Sequence, residues 1–519
     1  MSNIPEDGDP KSVNQAPASG SSKFRSRRLH LFGLDSDDIV RAFFGGNATI
    51  AIIVLGLIVF FLFREGAGFF GQNGSELSLY RKSGLEYADH MRVQTDDFFS
   101  LSRYLTSIES EELTTLIKKD GLSFREAKAR TAALHTFTDE LRTSIGPMKT
   151  LMDRQVAEAM AIRNDFNLRP ESTDLPARRA VLLASRDDFH RLNEELRTHV
   201  SSVLANLPDS DSRFSHRIDK FRDMAEDYIA ASRRTDRELD AWNPDKPVHF
   251  FARLTSFLFG RNWITNSYYQ DWYGVLPLLY GSLLVSVIAL CFAVPLGIAG
   301  AIYVNQFACA WEQRLIKPYI EFISAIPSVV IGFFGVIVWG QFVRDASQWE
   351  ALSWLPGFPI SERLNAFTAG CLLAIMAIPT IFTLAEDALN NVPKAFTEAS
   401  YAVGATKLQT TSRIIVPTAM SGMISAVLLG FGRVIGETMV VLLCAGNRID
   451  MPPLSDGLAA FFKPVHTMTG IVAQEMGEVV PGSTHYRALF LVGTLLFFIS
   501  LAINYLAQKI MRRYSISER

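Results

Sequence analysis

The apolar residues of this chain gather into six blocks, separated by polar stretches of which one is far longer than the rest. The blocks run over about 46–63, 276–304, 318–342, 364–386, 418–445 and 487–509. Each is near the roughly 20 residues that a helix needs to cross the hydrocarbon core of a bilayer. The third and fourth contain Pro327 and Pro379, which a membrane helix tolerates when its neighbours satisfy the freed carbonyls. The long polar stretch, residues 66–275, repeats apolar residues at helical spacing. Leu134, Phe137, Leu141, Ile145 and Met148 form one row, Phe189, Leu192, Leu196, Val200 and Val203 a second, and Phe214, Ile218, Phe221, Ala225 and Tyr228 a third. Such rows predict an antiparallel helical bundle, with breaks at Gly121, Gly146-Pro147, Pro170 to Pro176 and Pro208. Beyond Asn243 the chain turns aromatic (Trp242, Phe250, Phe251, Phe257, Phe259, Trp263, Trp272), which suits a segment returning through the membrane interface.

Residues 1–45 are predicted to be disordered: 1–22 hold almost no large apolar side chain, and Lys23, Arg25, Arg27 and Arg28 follow. The first block has the length and flanking charge of a signal peptide. No small-x-small cleavage site follows it and Arg64-Glu65 stop it, so 46–65 reads as an uncleaved anchor. Basic ends set the orientation. Lys23–Arg28, Arg314–Lys317, Lys394–Arg413 and Lys509–Arg513 all fall in the cytoplasm by the positive-inside rule. Six spans with both termini inside satisfy all four, with 511–519 as a cytoplasmic tail. The insert at 66–275 then lies outside.

Composition agrees with spans plus a soluble portion: 48% of residues are hydrophobic, 20% are charged, and mean hydropathy is +0.15. The lipid bilayer is therefore the expected surrounding, and a net charge of −2 gives no sign of nucleic-acid binding. Cys291, Cys309, Cys371 and Cys444 all lie in or beside apolar blocks, so no disulfide framework is implied for the insert.

The linker between the fourth and fifth blocks carries the sharpest pattern. Over Glu398–Pro417 it reads EASYAVGATKLQTTSRIIVP: Glu398-Ala399-Ser400, three residues, Gly404, nine residues, Ile414, one residue, Val416-Pro417. Glu398 to Val403 has helix-forming character and Gly404 permits a sharp bend. Lys407 to Val416 can form a second short amphipathic helix, which Pro417 ends or re-aims. Two short helices meeting at a glycine make a knob suited to a groove on another protein. This spacing resembles the EAA loop of ABC importer permeases, usually EAA…G…I-x-LP, with departures at Ser400 and Val416. The resemblance implies that Glu398, Ala399, Gly404, Ile414 and Pro417 couple the chain to an ATPase.

No enzyme signature is present. A G-x-x-x-x-G-K-[ST] phosphate loop is missing from the sequence, so energy has to come from another chain. The nine histidines show no metal-ligand spacing, and neither a metal nor a cofactor is expected. Gly432 and Gly436, four apart in an apolar block, read as a small-residue face for helix packing. Arg433 and Glu437 lie in the same block, one helical turn apart on one face. A charged side chain near a helix centre costs about 2.5–3.5 kcal/mol on insertion scales, so such residues usually line a cavity and pair. Two readings stay open: a structural ion pair that fixes helix packing, or an anion contact in a translocation path. The planar guanidinium fork suits phosphate or carboxylate.

The stretch Gly432-Arg433-Val-Ile-Gly436-Glu437-Thr438-Met439 resembles the GRxxGETM of phosphate permease subunits of PstC type. So do Ala325–Gly332, Tyr280–Tyr303, Pro379–Pro393 and Arg64-Glu65-Gly66. Agreement covers about 45–75 and 263–515, with the helical insert as an addition. The resemblance implies an all-α membrane protein of the type I importer (MetI-like) fold, with its permease core at 276–510. It also implies a bacterial inner-membrane complex with a second permease subunit, a cytoplasmic ATPase dimer and an extracytoplasmic phosphate-binding protein. Arg433 and Glu437 would then serve transport. Phosphonate, sulfate and molybdate are alternative cargoes. A membrane sensor with an external helical domain is a further alternative, in which the 398–417 loop would have no place.

Overall fold

The computed structural model describes residues 36–169, 174–207, 215–265, 267, 269–349, 351 and 357–514. Residues 170–173 of the predicted break that ends at Pro176 lie outside the described residues, as do Pro208, Phe214 and the Lys23–Arg28 cluster. Among the described residues, six helices are long and apolar enough to cross a membrane: Val40–Lys82, Leu276–Phe307, Ser328–Ala346, Ala366–Asn390, Lys407–Ile435 and Thr484–Arg512. The chain divides into two units, Met1–Phe61 and Leu62–Arg519. In the first, residues from Ser36 onward are helical and apolar side chains such as Ile52, Leu55 and Phe60 are exposed. A helix that is apolar all round suits a membrane span.

Two expectations for this end of the chain are corrected. Helix begins at Ser36, inside the stretch expected to be disordered, and it passes through Arg64-Glu65 without a break to Lys82. Arginine and glutamate are good helix formers, so their charge marks a change of surroundings and not the end of the helix.

The insert is a helical bundle built on Leu85–Lys118. Ala132–Ser144, Gly146–Leu168, Arg186–Asn206 and Ser215–Asp240 complete it. The predicted rows converge: Leu134, Leu141, Ile145 and Met148 meet Phe189, Leu196, Val200 and Val203, and Ile218, Phe221, Ala225 and Tyr228, around Phe98, Leu101 and Leu105. Gly121 breaks the chain at φ +69, and a new helix starts at Gly146 as Pro147 allows. Beside this core lies a polar network. Fully buried Asn193 donates Nδ2–H to Asp236 Oδ1 at 2.9 Å and accepts from Ser232 Oγ at 2.8 Å. Arg197 donates to Ser232 Oγ at 3.0 Å and pairs with Asp236, while His190 Nδ1 lies 2.9 Å from Asp236 Oδ1.

Burial opposes ionisation of Asp236, but the hydrogen bonds from Arg197, Asn193 and His190 outweigh it and hold the carboxyl below its usual range. A depressed carboxyl stabilises the fold above its unfolded value of about 3.9, and that contribution is lost as pH falls. Asp236→Ala is expected to cost about 3 kcal/mol by leaving Arg197 without this partner. The loss would appear as faster amide exchange over 186–240 in the full chain at neutral pH. Below about pH 4 the difference from the unsubstituted chain should shrink; equal exchange at neutral pH would remove the network from the stability of the bundle.

The insert begins and ends at one place. Tyr80 packs edge-on against Trp272, with ring centroids 5.8 Å apart, and Arg81 Nη1 donates to the Lys246 carbonyl at 2.9 Å. The returning aromatic segment forms a short helix, Phe250–Phe259, and an antiparallel pair in which Trp263 faces Tyr273 and Ile264 faces Trp272. Phe69, Phe257 and Tyr273 join these to the sixth span.

In the permease core, small residues allow close approach. A methyl at Gly370 would meet Ile288 at 2.5 Å, one at Gly422 would meet Ala388 at 2.4 Å, and one at Gly430 would meet Ile381 at 2.7 Å. These contacts hold the second, fourth and fifth spans together, in the way that small residues pack membrane helices. The expected third span, 318–342, is divided at Pro327. Ala310–Ala325 is a separate helix with no buried residue, and the spanning helix starts at Ser328.

Candidate functional site: the 394–417 knob and the broken fifth span

The linker folds as two helical pieces set against each other. Lys394–Ala402 starts after Pro393, and the chain then turns at Gly404, whose φ is +85. Thr406 caps the next piece: its Oγ1 accepts from Gln409 N at 3.3 Å, and Gln409 Oε1 accepts from Thr406 N at 2.9 Å. Between the pieces, buried Ser400 Oγ and Thr410 Oγ1 lie 2.9 Å apart. The serine that departs from the EAA pattern therefore fastens the turn. Glu398 and Ala399 are exposed, as are Tyr401, Val403 and Leu408, with Val403 at 85%. The knob thus presents apolar tips beside an acidic side chain, and Lys407 Nζ anchors it 5.6 Å over the Phe307 ring at the end of the second span.

The second piece is not a short helix. Lys407–Thr410 passes through a π-turn, Thr411–Ile415, directly into Val416–Ile435. Pro417 has no N–H and its ring crowds the preceding turn; the wider π-turn takes up that misfit without ending the helix. Ile415 is buried with Ala419, Met423 and Phe382, Ile414 is half-buried, and Pro417 is exposed. Knob and membrane helix are therefore one continuous rod.

The fifth span ends earlier than its apolar pattern suggests. Helix stops at Ile435, Gly436 caps it, and a new helix, Met439–Cys444, starts after Thr438. Arg433 and Glu437 consequently do not share a helical face, and no ion pair joins them among the described residues. Arg433 is exposed in the last turn, and its Nη1 donates to Thr380 Oγ1 at 3.0 Å, next to Pro379 of the fourth span. Glu437 Oε1 accepts from Met439 N at 3.2 Å and so supports the start of the following helix. The physical reason is local: glycine is a poor helix residue, and a carboxylate just ahead of a helix is stabilised by its N–H groups. Gly432 and Gly436 are not tight packing positions. A methyl at Gly432 would make ordinary contact with Asn504 and Ile503 at 3.6 and 3.8 Å, and the one at Gly436 would meet only its own preceding turn.

One element went unread in the sequence. Between Gly446 and Met476 the chain folds back beside the break: Val465 N donates to the Ala445 carbonyl at 2.9 Å, and Thr467 caps a helix at Met468–Glu475. His466, Thr467, Met468 and Thr469 are buried. The fit to the second span is close, since a methyl at Gly281 would stand 2.0 Å from the His466 carbonyl. The signal for it was the pair Thr467 and Gly470, a cap pattern, standing in an otherwise irregular stretch.

The sequence model for the family described as binding-protein-dependent transport system inner membrane component matches residues 293–513. The probable ABC transporter permease protein YqgH of Bacillus subtilis is 35% identical over 242 residues, covering 46% of this chain and 72% of that protein. The phosphate transport system permease protein PstC of Haemophilus influenzae is 32% identical over 261 residues, covering 48% and 80%. Among solved structures, an inward-facing MetNI methionine ABC transporter aligns at 19% identity over 47% of this chain and 94% of its own, with a TM-score of 0.34.

Proposed function

This chain belongs to the family of binding-protein-dependent ABC transporter permeases, and from that premise we propose that it carries inorganic phosphate inward. The observation that carries the reading is Arg433: an exposed guanidinium in the last turn of the fifth membrane helix, hydrogen-bonded to a threonine and without a carboxylate partner among the described residues. Intramembrane cations without a structural partner mark ion pathways, and the guanidinium fork matches a tetrahedral oxyanion. Broken helices at membrane depth recur at transporter binding sites. The PstC relatives are named for phosphate transport, which supports phosphate over phosphonate, sulfate or molybdate.

In this reading the knob at 398–417 faces the cytoplasm, where an ATPase dimer grips Glu398 and the turn at Gly404. Both termini are cytoplasmic and the insert at 66–275 is extracytoplasmic. A phosphate-binding protein delivers the anion to an outward cavity shared with a second permease subunit. ATP-driven closure moves the knob, and the continuous rod from Lys407 to Ile435 carries that motion to Arg433.

Purification of the full chain with its native partners tests the reading. Recovery of an ATPase and a phosphate-binding protein is expected, with uptake of labelled phosphate that excess sulfate or molybdate leaves unchanged. Recovery with a kinase in their place would sink it.

A further inference from the structure

The break in the fifth span creates a problem that the fold has to solve. Residues 436–438 carry backbone N–H and C=O groups that no longer sit inside a helix, and in a membrane each unsatisfied group is costly. Most are satisfied within the span: Glu437 N donates to the Val434 carbonyl at 3.2 Å, and Leu442 N donates to the Thr438 carbonyl at 3.0 Å. Thr438 Oγ1 donates to the Gly436 carbonyl at 3.4 Å. Among the described residues, one side chain from elsewhere in the chain reaches the backbone of the break. Thr469 Oγ1 donates to the Glu437 carbonyl at 2.8 Å.

Thr469 is itself held firmly. It is 6% exposed, and its hydroxyl lies 3.4 Å from that of Thr467, the cap of the Met468–Glu475 helix. Its neighbour Met468 donates its N–H to buried Ser282 Oγ on the second span at 2.9 Å. Two links in series therefore join the break to the second span, Glu437 to Thr469 and Met468 to Ser282. They stand where Gly281 admits the His466 carbonyl. Glu437 thus supports the helix at Met439 through its side chain while Thr469 holds its main chain.

We infer that Thr469 is a positioning residue for transport, pinning the unwound turn 436–438 so that Glu437 and the Arg433 end of the fifth helix move as a unit with the second span. The inference rests on the proposed reading that Arg433 and Glu437 border the path. It concerns how tightly transport is coupled and not whether the chain folds.

The test uses the complete reconstituted complex, with uptake of inorganic phosphate, ATP hydrolysis and complex yield measured together. Thr469→Val keeps the shape, removes the donor and leaves a part-buried carbonyl without this partner, so an about tenfold loss of uptake is expected. ATP hydrolysis should stay within about twofold, so that fewer anions cross per ATP, and Thr469→Ser should restore uptake. Unchanged uptake in Thr469→Val overturns the inference. So does a parallel loss of uptake, hydrolysis and yield, which a purely structural role would produce. Arg433→Ala, run alongside, separates the two levels. If Arg433→Ala loses uptake and Thr469→Val does not, only the positioning role fails; if Arg433→Ala transports normally, the path reading fails and this inference with it.

Discussion

Gly404→Val is expected to abolish coupled uptake while leaving the chain inserted and assembled. The substitution meets no steric obstacle, since a methyl at this position would touch nothing within 4 Å. Its effect comes from the backbone: φ is +85, a region that a β-branched residue occupies only under strain. Such strain costs on the order of 1–3 kcal/mol, and the turn can shed it by swinging Lys394–Ala402 away from the Lys407 rod. The Ser400–Thr410 contact across the turn would then open. Uptake in the reconstituted complex should fall by at least about tenfold, the ratio that 1.4 kcal/mol represents. Gly404→Asn is the control, because asparagine tolerates the left-handed region; it should transport better than the valine variant although it is just as bulky. Uptake by Gly404→Val at the unsubstituted rate would show that the knob is not the route by which energy enters.

Arg433→Ala is the second large effect, with phosphate uptake reduced by about tenfold or more and normal assembly, as expected for a lost charge-assisted contact. Arg433→Lys should recover little, because a point charge does not reproduce the planar fork. Glu437→Gln asks a different question. An amide oxygen can still accept from Met439 N, so the turn keeps its shape and only the negative charge is removed. If that charge prevents the anion from being held too tightly, Glu437→Gln should slow release and lower the uptake rate without weakening half-saturation. Normal uptake by Arg433→Ala, in a complex with all its subunits, would place the residue outside the path.

The spans, the helices of the insert and the turn at Gly404 are legible because each leaves a periodic or spaced pattern. Leu134 through Met148 and Phe189 through Val203 recur as a helix requires, and their burial follows. Interruptions inside apolar runs were not legible. Glu437 stands at i+4 from Arg433 whether or not the helix continues, so position alone suggests a shared face. By sequence Pro327 resembles a tolerated kink, yet the helix stops before it, whereas Pro417 resembles a stop, yet the helix passes through it. The difference lies in the turn before each proline. A π-turn over Thr411–Ile415 absorbs the second ring, and residue order alone does not announce a π-turn. Thr469 was missed for a related reason, since its partner is a main-chain oxygen freed by the break.

The neck at Tyr80 and Trp272 has a consequence for the history of the molecule. The helices from Leu85 to Asp240 hang from two chain ends that already meet, at Tyr80–Trp272 and Arg81–Lys246, so their presence asks almost nothing of the membrane helices. Loop-closure cost grows only slowly with length, and a neck that is closed by aromatic packing does not feel how much chain lies beyond it. Such a module can be acquired, exchanged or discarded in one genetic event, without a new solution for helix packing in the bilayer. The same economy limits its influence. Any signal it exchanges with the transporter has to pass through the end of the first helix, the Phe250–Phe259 helix and the Trp263–Tyr273 pair.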